Sequence, residues 1–132
     1  MVARIMIIED DDASRELLRY LLEAAGYATL TAADGGAGLR TVLESQPDLV
    51  LCDLQMPVMN GYEVVRQLHA DPQWHRVPMI AVTAFSMPGD REAVLAAGFD
   101  DYISKPVTPE TFVRQVEAYL PLEFRAPRSS PP

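Results

Sequence analysis

Four places along the chain carry side chains able to share one piece of chemistry: the acidic run Glu9-Asp10-Asp11-Asp12, then Asp53, Thr83 and Lys105. Each stands where a short run ends: Ile5-Met6-Ile7-Ile8, Leu49-Val50-Leu51-Cys52, Met79-Ile80-Ala81-Val82, and the weaker Asp101 to Ser104. Taken singly they are ordinary. Aspartates cap a helix N-terminus and complement its dipole, a threonine can cap, and a lysine can sit in water. Taken together they put carboxylates, a hydroxyl and an ammonium at the carboxyl ends of neighbouring strands, where open α/β sheets bind ligands. Clustered carboxylates repel one another, so they take up protons or hold a cation. An all-oxygen site with few ligands suits Mg2+, which keeps several waters and commonly bridges to phosphate. This is an arrangement for phosphoryl chemistry. A cation at Asp10 and Asp53 would neutralise an incoming phosphoryl group, a carboxylate would attack phosphorus in line to give an aspartyl phosphate, and Lys105 would offset the charge on the equatorial oxygens.

The elements that must position these residues are legible in the hydrophobic pattern. The first three runs are apolar on both faces, as in a parallel sheet covered by helices on either side, and Tyr27 to Thr31 and Asp101 to Ser104 complete five strands. Between them, Leu17, Leu18, Leu21, Leu22 and Ala25 predict a helix whose stripe faces the sheet and which Gly26 ends. A second helix starts near Asp34, carries Leu39, Val42 and Leu43, and stops at Gln46-Pro47, although Gly35, Gly36 and Gly38 weaken its first turn. A third follows Asn60-Gly61 with Val64, Val65 and Leu68 inward. A fourth follows Ser86-Met87-Pro88 with Val94 and Leu95 inward. Thr108-Pro109-Glu110 supplies a hydroxyl cap, an N-terminal proline and an early carboxylate for the fifth, whose Phe112, Val113, Val116 and Leu120 are apolar. Five strands alternating with five helices give a doubly wound α/β sandwich. Four of the eleven prolines lie in the last twelve residues, so 121–132 reads as a Pro-rich tail or linker outside the core.

Composition narrows the function further. At 132 residues, with 48% hydrophobic and 23% charged residues, the chain is one globular domain with or without a tail. The single Cys52 can neither close an intramolecular disulfide nor build a thiolate cage. A net charge of −8 repels phosphate backbones, which argues against direct nucleic-acid binding. No apolar run approaches the ~20 residues of a membrane span, and the expectation is a cytoplasmic protein.

The set Glu9-Asp10, Asp53-Leu54-Gln55-Met56-Pro57 with Asn60-Gly61, Val82-Thr83-Ala84 and Tyr102-Ile103-Ser104-Lys105-Pro106 resembles the receiver domain of two-component response regulators, in order and spacing, over about residues 3 to 120. The resemblance implies a flavodoxin-like sheet of strand order 2-1-3-4-5, and a receiver domain spanning 1–120. It implies Asp53 as phosphoacceptor, Asp10 as a direct Mg2+ ligand, Glu9 as a ligand through water, and Gln55 as a ligand through its backbone carbonyl. Lys105 would pair with the phosphoryl group, and its peptide bond to Pro106 would be cis. Thr83 would turn its hydroxyl to a phosphoryl oxygen, and Tyr102 would be the aromatic switch that follows it. The donor would be a sensor histidine kinase or a histidine phosphotransfer protein, and the output a change of partner affinity at the face of helix four, strand five and helix five, from a monomer or weak dimer. Gln55 and Phe85 hold the two positions that tune self-dephosphorylation, and Phe85, which cannot orient a water by hydrogen bonding, implies a long-lived phospho-state. Val82 to Met87 with Gly89-Asp90 look especially like stand-alone regulators of cell polarity and division and like receivers of hybrid kinases.

Other readings remain open at this point. The same residues would serve a receiver excised from a longer regulator or hybrid kinase. A haloacid dehalogenase-type phosphatase also uses a nucleophilic Asp after an apolar strand, but wants a second carboxylate where Gln55 stands. A flavodoxin-like FMN carrier would have to cradle phosphate in a first loop that here is acidic. Asp11 and Asp12 are explained by helix capping, Met56 and Met59 by packing, and Cys52, His69 and His75 receive no role.

Overall fold

The computed structural model describes residues 2–84 and 89–127. Strands β1 (Arg4–Ile8), β2 (Ala28–Ala32), β3 (Leu49–Cys52), β4 (Met79–Thr83) and β5 (Asp101–Ser104) alternate with helices α1 (Asp12–Ala24), α2 (Gly35–Ser45), α3 (Gly61–Ala70), α4 (Asp90–Ala97) and α5 (Pro109–Glu117). The strands pair in parallel in the order β2-β1-β3-β4-β5. Phe85 and the expected helix start at Ser86-Met87-Pro88 lie outside the described residues.

Because successive strand side chains point to opposite faces, each strand feeds two cores. Ile5, Ile7, Leu49, Leu51, Ile80, Val82 and Ile103 pack with Leu18 and Leu22 of α1 and with Phe112 and Val116 of α5. Met6, Ile8, Val50, Cys52, Met79 and Ala81 pack with Val42 of α2, Val64, Val65 and Leu68 of α3, and Val94 of α4. Each fully buried Leu, Ile, Val, Met or Phe contributes about 1.5–3 kcal/mol. The two layers therefore hold the strand ends, and whatever they carry, in fixed register.

Helix starts follow the polar caps. Asp11 accepts from the Ser14 N–H, Asp34 from Ala37 and Asn60 from Glu63, at 2.8, 2.7 and 3.0 Å. Each satisfies an orphan amide of a first turn. Gly26, at φ +102°, follows α1 in a conformation that side chains with a Cβ rarely adopt.

Four expectations need correction. Leu17 does not face the sheet: it is 43% exposed on α1, while Leu18 and Leu22 take the inward stripe. Leu95 is likewise exposed, at 37%, beside buried Val94. Thr108 stands at the start of α5 without a side-chain capping bond; its carbonyl instead accepts from the Thr111 hydroxyl at 3.3 Å. And the chain does not leave the core at Pro121. Leu122–Phe124 form a short 3-10 turn, the Phe124 carbonyl accepts from the Ala3 N–H at 2.9 Å, and Ala126 is buried in the α1/α5 core. Proline content signalled a break in helix, not a loss of contact.

Candidate acidic site at the strand ends

β1 and β3 lie side by side with Ile8 opposite Cys52. The next residues, Glu9 and Asp53, therefore emerge as neighbours. The chain turns outward from β1 towards β2 and from β3 towards β4, so their shared end is the topological switch point where open sheets form a crevice. Backbone bonds seat both acids: the Asp53 N–H donates to Ile8 at 2.9 Å and the Glu9 N–H to Ala32 at 3.0 Å.

One carboxylate oxygen from each of Glu9, Asp10 and Asp53 lies within 4.8 Å of the other two. Glu9 is 1% exposed and Asp53 6%, whereas Asp10 is open to solvent. The result is a pair of buried acids with a third at the mouth. Lys105, at the end of β5, extends its Nζ to 2.5 Å from Glu9 Oε1 and 3.6 Å from Asp53 Oδ2. Its N–H donates to the Thr83 carbonyl at 2.8 Å, which ties the ends of β4 and β5 together beside the acids. The peptide bond from Lys105 to Pro106 is cis.

Electrostatics follow from this crowding. Burial pushes the Glu9 carboxyl up to about 7, against the pull of its bond to Lys105, and neighbouring Asp53 pushes the same way. Burial alone would lower the Lys105 ammonium, but the Glu9 bond and the charges of Asp53 and Glu9 hold it above the usual lysine value. One ammonium therefore faces three carboxylates, and a hard divalent cation fits the excess of oxygen donors. The donor set holds no thiolate or imidazole that would favour a softer metal.

The remaining site residues divide. Thr83 is fully buried at the end of β4. Tyr102 lies opposite Ala81 in register, half-buried against the α2/α3/α4 core. Gln55 is exposed, and its N–H donates to Asp53 Oδ1 at 3.1 Å. Sequence reasoning missed that contact because a backbone donor leaves no mark on residue type. It also missed Arg15, whose Nη1 donates to the Glu9 carbonyl at 2.9 Å and braces the first acid from α1. Met56 is buried and Met59 packs against the same core. His69 lies instead beside Trp74, ring centroids 6.5 Å apart and tilted by 36°. Leu17 lines a cavity of about 350 Å3 between α1 and the segment after β5, which shares Lys105 with the acidic site.

Residues 5–117 match the family model described as the response regulator receiver domain. The chain belongs to the response regulator receiver family. This receiver is 40% identical over 120 residues to the polar-differentiation response regulator DivK of Brucella ovis, covering 91% of this chain and 98% of that protein. Among solved structures, chemotaxis protein CheY4 of Vibrio cholerae superposes with a TM-score of 0.84 at 28% identity, covering 91% of this chain and all of that one. The receiver domain of sensor histidine kinase PA1611 from Pseudomonas aeruginosa, solved with a magnesium ion coordinated in its active site cleft, gives 0.81 at 32% identity, with 90% and 98% covered. A receiver is a regulatory domain of two-component signalling and not a turnover enzyme, which sets aside the phosphatase reading. Among the described residues, no helix is long and apolar enough to cross a membrane.

Proposed function

We propose that this receiver is a phosphorylation switch in which Asp53 accepts a phosphoryl group from a phosphohistidine on a sensor kinase or a phosphotransfer protein. The observation that carries the proposal is the placing of Asp53 Oδ2 3.6 Å from Lys105 Nζ inside a trio of converging acids.

Asp10 and Asp53 would hold Mg2+ directly, with Glu9 through water and the Gln55 carbonyl completing the protein's share. When bound, the ion supplies charge neutralisation for the phosphoryl oxygens. The chain's own residues do the rest. Gln55 holds Asp53 Oδ1 through its amide, which leaves the other oxygen to attack phosphorus. An O–P bond forms on Asp53 as the N–P bond breaks, and the imidazole leaves with the electron pair and takes a proton. Lys105 then balances a product of roughly −2 charge.

The new charge draws on the Thr83 hydroxyl, and Tyr102, on the neighbouring strand, follows into the space vacated. The α4–β5–α5 face thereby has two arrangements with different partner affinities, and phosphorylation biases between them. Its action is by binding, either as a stand-alone regulator or as the receiver of a longer one.

Incubation with acetyl phosphate and Mg2+ followed by Phos-tag electrophoresis tests this reading. A retarded band is expected for wild type and none for Asp53→Ala. Equal mobility of the two would remove Asp53 as the acceptor.

A further inference from the structure

The acceptor loop, from Asp53 to Asn60, is seated between two helix starts by backbone contacts that only glycine permits. A Cβ at Gly61 would meet the Asp53 carbonyl at 2.6 Å, and a Cβ at Gly35 would meet the Met59 carbonyl at 2.7 Å and the Met59 Cβ at 3.0 Å. Neither obstacle is a mobile side-chain end. Gly36, next along α2, has its nearest neighbour at 3.5 Å, an ordinary contact. The loop has little freedom to yield between these two points: Val58 is held at φ +69°, and the Met59 N–H donates to the Pro57 carbonyl at 2.8 Å. α2 reaches the other half of the site as well, since a Cβ at Gly38 would fall within 2.9 Å of three Ile8 side-chain atoms, one residue before Glu9.

From this we infer that Gly35 is a positioning residue for the acidic site: the first turn of α2 is the template on which the loop carrying Asp53 is set, and the bare Cα at 35 fixes how close the loop lies. The inference rests on the phosphoacceptor reading and adds to it a residue that touches neither the phosphoryl group nor a metal ligand. It also gives a reason for glycine at a helical position where alanine would favour the helix.

The test compares wild type, Gly35→Ala and Gly36→Ala for Mg2+ affinity by titration calorimetry, acetyl phosphate uptake, and thermal midpoint. The expected result is Mg2+ affinity and uptake rate lowered by about 10- to 100-fold in Gly35→Ala, the range for losing support around a metal site or shifting a reacting group by about an ångström. Gly36→Ala should match wild type in both and melt no lower. Should Gly35→Ala alone not fold, Gly35→Ala/Gly36→Ala carries the same comparison, because the second alanine adds helix propensity that offsets the stability lost to the contact with Met59. Unchanged Mg2+ affinity and uptake in a folded Gly35→Ala, whatever its midpoint, would overturn the inference, as would equal losses in Gly36→Ala. Wild type that neither binds Mg2+ nor takes up phosphoryl would instead fail the phosphoacceptor reading itself, before any variant is compared.

Discussion

Lys105 lies closer to Glu9 than to Asp53, at 2.5 against 3.6 Å, so the ammonium at rest is bonded chiefly to the acid that is not the proposed acceptor. Lys105 is 23% exposed and Glu9 only 1%, so removing the lysine leaves a buried carboxylate without its cation. Lys105→Ala should therefore lower stability without metal by about 1–3 kcal/mol, less than for a fully buried pair because water reaches the lysine end. The variant's acids are also less compensated, so Mg2+ should stabilise it more than it does wild type. Urea titrations with and without Mg2+ measure both effects. An equal Mg2+ increment in the two proteins would argue against a shared electrostatic site.

A second polar link closes the opposite end of the molecule. The Tyr27 hydroxyl donates to Glu117 Oε2 at 2.5 Å and accepts from the Ala126 N–H at 3.0 Å. It thereby joins the start of β2, the end of α5 and the segment after the short turn. Tyr27→Phe deprives buried Glu117 of a donor and should cost about 1–3 kcal/mol. Truncation after Leu120 should lower the thermal midpoint without impairing acetyl phosphate uptake. Burial, then the Glu117 bond, raises the Tyr27 hydroxyl to about 12. A raised folded value means that this contribution is complete below the ordinary tyrosine value of about 10 and is lost as pH rises through about 12. The stability gap between wild type and Tyr27→Phe should shrink over that window. A gap constant with pH would show that the hydroxyl proton is not what matters.

Cys52 sits one residue before Asp53, yet burial pushes its thiol well above the usual range, and the charges of Asp53 and Glu9 push it the same way. Thiolate is the reactive form. Native protein should resist thiol-labelling reagents and react once unfolded in urea. Stoichiometric labelling of the native protein within minutes would contradict the packing described for β3.

Val58 combines full exposure with φ +69° in a three-residue turn, a strained backbone for a β-branched side chain with no packing to offset it. Such strain is of order 1–3 kcal/mol, against about 0.5–1 kcal/mol for the added chain entropy of glycine. Val58→Gly should raise the urea midpoint. A lowered midpoint would mean that the turn is not strained.

Glu9, Asp10, Asp53 and Lys105 were legible in the sequence because each follows a short run that reads as a strand, three of the runs being apolar on both faces, and parallel strands in one sheet deliver their carboxyl ends to one edge. Fold class was legible for the same reason: Met6, Val50 and Met79 face one helix layer while Ile5, Leu51 and Ile80 face the other. What escaped reading depends on distances between segments remote in sequence. Leu17 has the spacing of an inward residue, but α1 turns Leu18 and Leu22 to the sheet and leaves Leu17 beside the cavity. Ala126 is buried in the core and donates its N–H to the Tyr27 hydroxyl, 99 residues away, which proline counting cannot register. Gly35 reads as a weak helix start, and its use is visible only once Met59 is beside it.

The most direct test of the central claim is the intact mass of the protein after acetyl phosphate treatment, with Mg2+ and with excess chelator. One added HPO3 unit is expected on wild type with Mg2+, none on wild type in chelator, and none on Asp53→Asn in either condition. A full HPO3 adduct on Asp53→Asn, or uptake by wild type indifferent to chelator, would contradict it.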